Sequence, residues 1–408
     1  MDSHPLPRYP LPIVDETSQP QPGGRRRAIP LAVTSLFVAT SIGGIGLIVQ
    51  LYLRSLDVPL FIISAVTTVH GIGMLVGSWM WGTISDLVRR RPLLAFLTLA
   101  LASSLGVLAT LPSAPVVLGS LFVRSMLFAG VGAVAIAVIS ASSQLARRGK
   151  NLSYVSSARA FGFAAGNMAA GFILERLGFQ LAFIVYALLP MIAFGSVWLL
   201  PNENPVEHRD KISAWKAIFS SGLLDLYVST ALRQMAIFGA FSLLYVYMEE
   251  VGIRAGIMGV ISASNTATQV LALMAFGWLA DRIGRQRVFM FGFFLSIITP
   301  LCFVFAANVA GMVVGYMTLG IGFSSLYVGS TAYIGDRVPH HRHGQMLGLY
   351  ESSRGVGGLI GPLIAGAITP LIGFKGMFVV MAAIAGIGFG IMLVGQLRAR
   401  RASAVTCG

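Results

Sequence analysis

The sequence predicts an all-α membrane protein of twelve transmembrane helices, arranged as two six-helix bundles related by pseudo-twofold symmetry. Three observations predict it. Apolar stretches of membrane-crossing length recur along the chain, basic residues crowd into alternate loops, and the two halves of the sequence repeat. Composition excludes the main alternatives. Of 408 residues, 56% are hydrophobic and only 11% charged, whereas an ordinary soluble domain carries about 25% charged residues. Such a chain cannot cover a water-facing surface, so disorder, a coiled coil and a soluble enzyme are poor readings. Two cysteines, Cys302 and Cys407, give neither a disulfide framework nor a zinc-ribbon spacing.

Residues 1–27 are polar and Pro-rich, contain no apolar core, and end in Arg25-Arg26-Arg27. They read as a disordered cytoplasmic tail rather than a cleavable signal. The first span follows at 30–53. Spans 60–85 and 92–111 flank the basic loop Arg89-Arg90-Arg91, and spans 115–144 and 152–174 flank Arg147, Arg148 and Lys150. Span 179–200 closes the first bundle, residues 28–200. The polar linker 201–221 carries Arg209, Lys211 and Lys216. The second bundle, 222–397, repeats the scheme with spans 223–248, 255–280, 288–307, 309–335, 345–371 and 374–397, followed by the tail 398–408. Each span is near or above the ~20 residues that cross ~30 Å of hydrocarbon. Of the 29 Lys and Arg, 21 lie in the tails and in alternate loops, and only Arg54, Arg176, Arg254 and Lys375 lie in the others. Basic loops stay cytoplasmic during insertion, so both termini are expected inside a cytoplasmic membrane. The net charge of +14 is therefore topological, and no nucleic-acid partner is expected.

A shift of 195 residues aligns the halves. Gly82, Asp86 and Arg90 meet Gly277, Asp281 and Arg285; Arg159 meets Arg354; Gly162, Gly166, Gly171 and Gly178 meet Gly357, Gly361, Gly366 and Gly373. Parallel repeats place a substrate site between them near the midplane, and rocking one against the other gives alternating access.

The 2–3 loop reads Gly82-Thr-Ile-Ser-Asp86-Leu-Val-Arg89-Arg90-Arg91, and the 8–9 loop reads Gly277-Trp-Leu-Ala-Asp281-Arg282-Ile-Gly284-Arg285-Gln286-Arg287. Both resemble G-x-x-x-D-x-x-G-[RK]-x-[RK], a signature of the major facilitator superfamily. The resemblance covers about residues 28–400. The second copy matches closely; the first has Arg89 where a loop glycine is usual, so its turn is expected to differ. The resemblance implies a gating role: Asp86 would meet the backbone around Gly344 to Leu347 at the start of the eleventh span. The fifth span, Gly162-Phe-Ala-Ala-Gly166-Asn167-Met-Ala-Ala-Gly171, resembles the glycine motif of proton-driven drug antiporters, with Asn167 and Ala170 departing from it. Its plainer reading, shared by Gly357, Gly361 and Gly366, is close helix packing.

Ionisable groups inside the spans are functional candidates, because each costs at least ~2.5 kcal/mol at the bilayer centre. Arg124 resembles the fourth-span Arg of the family's proton-coupling motif, although Phe128 stands where a glycine is expected. Arg233, next to Gln234, has no carboxylate on its helix face and suits an anionic substrate group, or a structural pair. His70 lies mid-span, and an ordinary imidazole titrates near 6.5, which suits a proton carrier as well as a buried hydrogen bond. The first span holds no acid, which argues against a cationic substrate. Glu351 and Arg354 can pair one turn apart as a cytoplasmic gate with Arg159 as a repeat counterpart. Gln50, Asn265 and Gln269, with Tyr245 and Tyr316, can face a cavity. His340-His341-Arg342-His343 reads as a solvated basic loop, so no metal is expected.

No phosphate-binding glycine loop, Ser-His-Asp set or H-E-x-x-H occurs, so neither an enzyme nor a cofactor is expected. The expectation is a monomeric secondary transporter, proton-coupled and exporting small amphipathic compounds. The alternative is an organic-anion symporter or exchanger using the midplane arginines. Membrane lipids and protons are the other expected partners.

Overall fold

The computed structural model describes residues 24–85, 87–142, 145–200, 223–335 and 343–406. Asp86, the tail before Gly24, the linker and the 336–342 loop lie outside the described residues. Every regular element described is an α-helix: α1 (Gly24–Ser55), α2 (Leu60–Ser85), α3 (Arg90–Leu108), α4 (Ala114–Ser142), α5 (Leu145–Val197), α6 (Leu224–Ser242), α7 (Leu244–Glu250), α8 (Ala255–Ile283), α9 (Arg285–Phe305), α10 (Val309–Gly335) and α11 (His343–Thr406). Ten described segments are long and apolar enough to cross a bilayer. Many of their large apolar side chains stand on the outside, with Trp79 and Met274 both 74% exposed. Hydrocarbon, not water, is the solvent for such a surface.

Two helices are too long for one crossing. The apolar part of α5, Tyr154–Val197, has 44 residues and that of α11, Gly348–Arg398, has 51; at 1.5 Å per residue each would span roughly twice the hydrocarbon. Both break at a glycine in the region of φ that side chains avoid: Gly178 at φ 74° and Gly373 at φ 71°. The α5 break is a reversal. The Tyr186 hydroxyl donates to the carbonyl of Gly166, a group ~30 Å away along a straight helix of that length. One difference from the expected spans lies at Leu243 (φ −123°, ψ 9°), where the seventh is interrupted and divided into α6 and α7.

The 195-residue repeat reappears as repeated packing. A side chain on Gly162 would strike Leu36 O, and one on Gly357 would strike Ala231 O. Gly166 lies against Thr40 O as Gly361 lies against Met235 O. Gly44 faces the Tyr186 ring, and Gly239 faces Met381. In all three pairs the partners are 195 residues apart. Tyr52 donates to Pro112 O (3.0 Å) and meets Phe179 edge-on; Tyr247 donates to Ala306 O (3.2 Å) and packs on Phe374. These tyrosines gather the 55–60 and 109–113 turns with Gly178, and the 251–254 and 306–308 turns with Gly373.

The repeats touch along two seams, also related by the offset. In one, α5 meets the start of α8: Gly171 lies on Ala255 O, and Gly259 lies 2.6 Å, measured from an added Cβ, from Asn167 O. In the other, α11 meets the start of α2: Gly366 lies on Ser64, and Thr68 Oγ1 donates to Leu359 O at 2.8 Å. Both seams therefore run near the end that holds the 55–60 turn. At Gly82 and Gly277, by contrast, an added Cβ meets no described atom within 4 Å.

Candidate functional site

Glycines bring α2 onto α4. A Cβ at Gly73 would sit 2.7 Å from Phe122 O and 2.8 Å from Ser125 Cβ, and Gly77 rests on Met126. One turn before Gly73, His70 is thereby placed on Ser125, with Nδ1 and Oγ 2.7 Å apart. Arg124 Nη2 stands 3.2 Å from His70 Nδ1 and 3.3 Å from Ser125 Oγ, which also donates to Leu121 O at 2.6 Å. A hydroxyl carries one hydrogen. While it lies on Leu121 O, a protonated Nδ1 can donate to Ser125; a bare Nδ1 accepts instead from Arg124. The cluster thus has two hydrogen-bonded arrangements that differ by one proton on Nδ1. Arg124 is 5% exposed, and its Nε has no hydrogen-bond partner.

Arg233 is equally buried in α6. Its Nε donates to Ser296 Oγ (3.0 Å) and its Nη1 to Gln234 Oε1 (2.8 Å). Among the described residues no carboxylate pairs with Arg124 or Arg233. Arg354 Nη1 donates to both oxygens of Glu351, at 2.8 and 2.9 Å, and its guanidinium lies 5.7 Å from the Phe323 ring centre. Arg354 and Arg233 line one crevice with Phe323, Leu326, Tyr327 and Tyr350. Arg159 lines another, with Val38, Phe128, Val131, Gly132 and Val155 among its walls. Asn265 accepts from Gln269 Nε2 at 2.6 Å beside Gly320. Gln50 is buried, and its Oε1 has no hydrogen-bond partner.

A family model described as Major Facilitator Superfamily matches residues 31–254 and again 226–405, and the two matches start 195 residues apart. The chain belongs to the Major Facilitator Superfamily. It is similar to the multi-drug resistance efflux pump PmrA of Streptococcus pneumoniae, 23% identical over 76% of this chain and 80% of that protein. It is also similar to the multidrug resistance protein MdtG of Escherichia fergusonii, 25% identical over 76% and 78%. Solved structures share the fold. The nucleoside transporter NupG superposes with TM-score 0.76 at 12% identity, over 90% of this chain and 98% of that one. A bacterial homologue of the lysosomal transporter Spinster, inward-facing and occupied, gives 0.77 at 11% identity, over 90% and 96%. The chain is thus a membrane-spanning transporter of the superfamily.

The superfamily's signature loops differ between its two copies here. Gly284 adopts φ 93°, open to glycine, whereas Arg89 sits in ordinary extended backbone at φ −61°, ψ 132°. Arg90 is buried; Arg91 stacks 4.7 Å from the Trp198 ring centre, and Arg282 3.8 Å from that of Trp278. Asp281 is buried no deeper than the surface, as is Arg285. The pairing of Asp86 with the eleventh span falls outside the described residues. Sequence reading missed one contact altogether. Glu175 accepts from Arg254 and from the Gly256 backbone N–H (3.2 Å), so it caps the start of α8 from across a seam. Both residues lie between the expected spans, and nothing in their spacing pairs them.

Proposed function

We propose that the chain is a proton-coupled exporter of small amphipathic compounds, working by alternating access from the cytoplasmic membrane with both termini inside. The observation that carries the reading is the pair of repeat-related seams at one end, with the His70–Arg124 cluster buried behind them. Counting α5 and α11 as two crossings each, and α6 with α7 as one, gives twelve. The first six form one rocking unit, residues 28–200, and the last six the other, residues 222–397. The names of the relatives support drug export, and His70 is the group offered as the proton carrier, since the described spans hold no carboxylate beside it. Purified protein in liposomes, given a proton gradient and a fluorescent amphiphile, tests this. Amphiphile-dependent proton movement in the opposing direction is the expected result; amphiphile flux indifferent to the gradient would defeat it.

A second reading, exchange or symport of organic anions, is favoured by the two buried arginines without carboxylate partners. Anions moving with protons rather than against them would select it.

The seam carries its own prediction. Glu175 is a charged cap on α8, and such caps contribute about 1 kcal/mol; its ion pair with the exposed Arg254 adds little. Glu175→Gln should therefore shift the balance about fivefold toward the state open at the 55–60 end. In a Cys302→Ser, Cys407→Ser background, a Thr68→Cys thiol should react several-fold faster with a water-soluble maleimide. An unchanged rate would mean the cap does not hold the seam.

A further inference from the structure

The two crevices described above are the same crevice in the two repeats. Adding 195 turns Val38, Phe128, Val131, Gly132, Val155 and Arg159 into Arg233, Phe323, Leu326, Tyr327, Tyr350 and Arg354. The scaffold is kept and the chemistry is changed. The first crevice has one arginine at its rim, the hydroxyls of Ser35 and Ser156, and otherwise aliphatic or aromatic walls, with no second cation among the described residues. The second adds a buried guanidinium where the first has Val38 and a phenol where it has Val155.

We propose that the second-repeat crevice is a binding subsite for the carboxylate head of an amphiphilic compound, and that its first-repeat counterpart, which lacks the buried guanidinium, is not. Two cations share the second crevice. No carboxylate lines it among the described residues; Glu351, which pairs with Arg354, is 59% exposed and stands outside it. Arg233 has five N–H donors, and two are accounted for by Ser296 and Gln234. Like charges held together in low dielectric favour an anion between them. Arg233 is fixed for the task, because Ser296 and Gln234 hold its plane, and a planar fork suits a carboxylate. Tyr350, 7% exposed, can donate from the side. The space is that of about one water molecule, about 10 Å³. It takes at most one oxygen of a carboxylate head, laid toward Arg233, so the rest of the compound must lie outside it.

This proposal rests on the transporter reading for its meaning, but not for its test, which is made at equilibrium without a gradient. Octanoate, octanol and chloride are titrated into the purified full-length protein in detergent by calorimetry. Octanoate should bind and octanol should not, and chloride at the same concentration should not displace octanoate. Arg233→Gln, which can keep a donor toward Ser296, should weaken octanoate about tenfold, the loss expected for one charge-assisted hydrogen bond. Arg354→Gln, at a less buried position, gives a second reading should Arg233→Gln fail to fold, with the same tenfold loss expected. Arg159→Gln, in the sister crevice, should change binding less than twofold. Equal binding of octanol, displacement by chloride, or equal losses in the Arg159 and second-crevice variants would overturn the assignment. A failed flux assay with intact octanoate binding would count against the export reading alone.

Discussion

Exchanging His70 for glutamine should stop substrate-driven proton movement while leaving substrate binding within about twofold. The side chain would still reach Ser125, so the packing of α2 on α4 around Gly73 and Gly77 is kept. What it loses is the proton that distinguishes the two arrangements around Nδ1, and imidazole is the side chain whose ordinary titration falls in the physiological range. The expected loss of coupled flux is at least about tenfold, a floor set by removal of the only proton-carrying group of the cluster. Arg124→Lys should fail nearly as badly. An ammonium is a point donor and cannot reproduce a guanidinium that reaches His70 and Ser125 together. Flux measured with a pH dye in liposomes, next to binding of the same compound in detergent, separates the two effects. Coupled flux that survives in the glutamine variant would remove His70 from the mechanism.

The glycine stripes should carry a comparable share of stability. Gly166 and Gly361 place their Cα atoms against the carbonyls of Thr40 and Met235, and a backbone oxygen cannot rotate aside as a side chain can. Gly166→Ala or Gly361→Ala should each cost about 1–3 kcal/mol through overpacking, because the gain in helix propensity, about 1 kcal/mol, is smaller. Gly82→Ala should be neutral or stabilising, since open space surrounds it. Melting in detergent by intrinsic fluorescence checks this, with Gly82→Ala as the matched control. Equal melting temperatures for all three would show that the stripes are not close contacts in solution.

The helices and the repeat were legible because both are written in local pattern. Hydropathy marks the crossings, and the offset that pairs Gly178 with Gly373 also pairs the two helix breaks. The break at Leu243 was not legible, since an apolar residue there carries no turn signal. Arg124, His70 and Arg233 stand out in sequence because charge is rare among apolar residues. Their partners Ser125 and Ser296 do not, because a serine in a membrane helix is common and its role depends on which helix faces it. In the sequence Arg124 and His70 are separate candidates; only the packing of α2 against α4 joins them. The Glu175 cap escaped for the same reason: its partners lie about 80 residues away, at Arg254 and Gly256. The relation between the two crevices needed both kinds of information. The offset supplies the correspondence, and the packing shows that the corresponding residues share a wall.

The two repeats, closed on each other at the 55–60 end, should reopen there while closing at the other. Leu56 and Val251 are repeat equivalents at the first end, and Val88 and Ile283 at the other. Spin-label pairs at these positions, measured by pulsed electron spin resonance in nanodiscs, report both ends of one population. Lowering the pH or adding a transported amphiphile should lengthen the first distance and shorten the second in the same fraction of molecules. Distances that stay fixed, or that change in the same direction at both ends, would rule out alternating access by rocking of the two repeats.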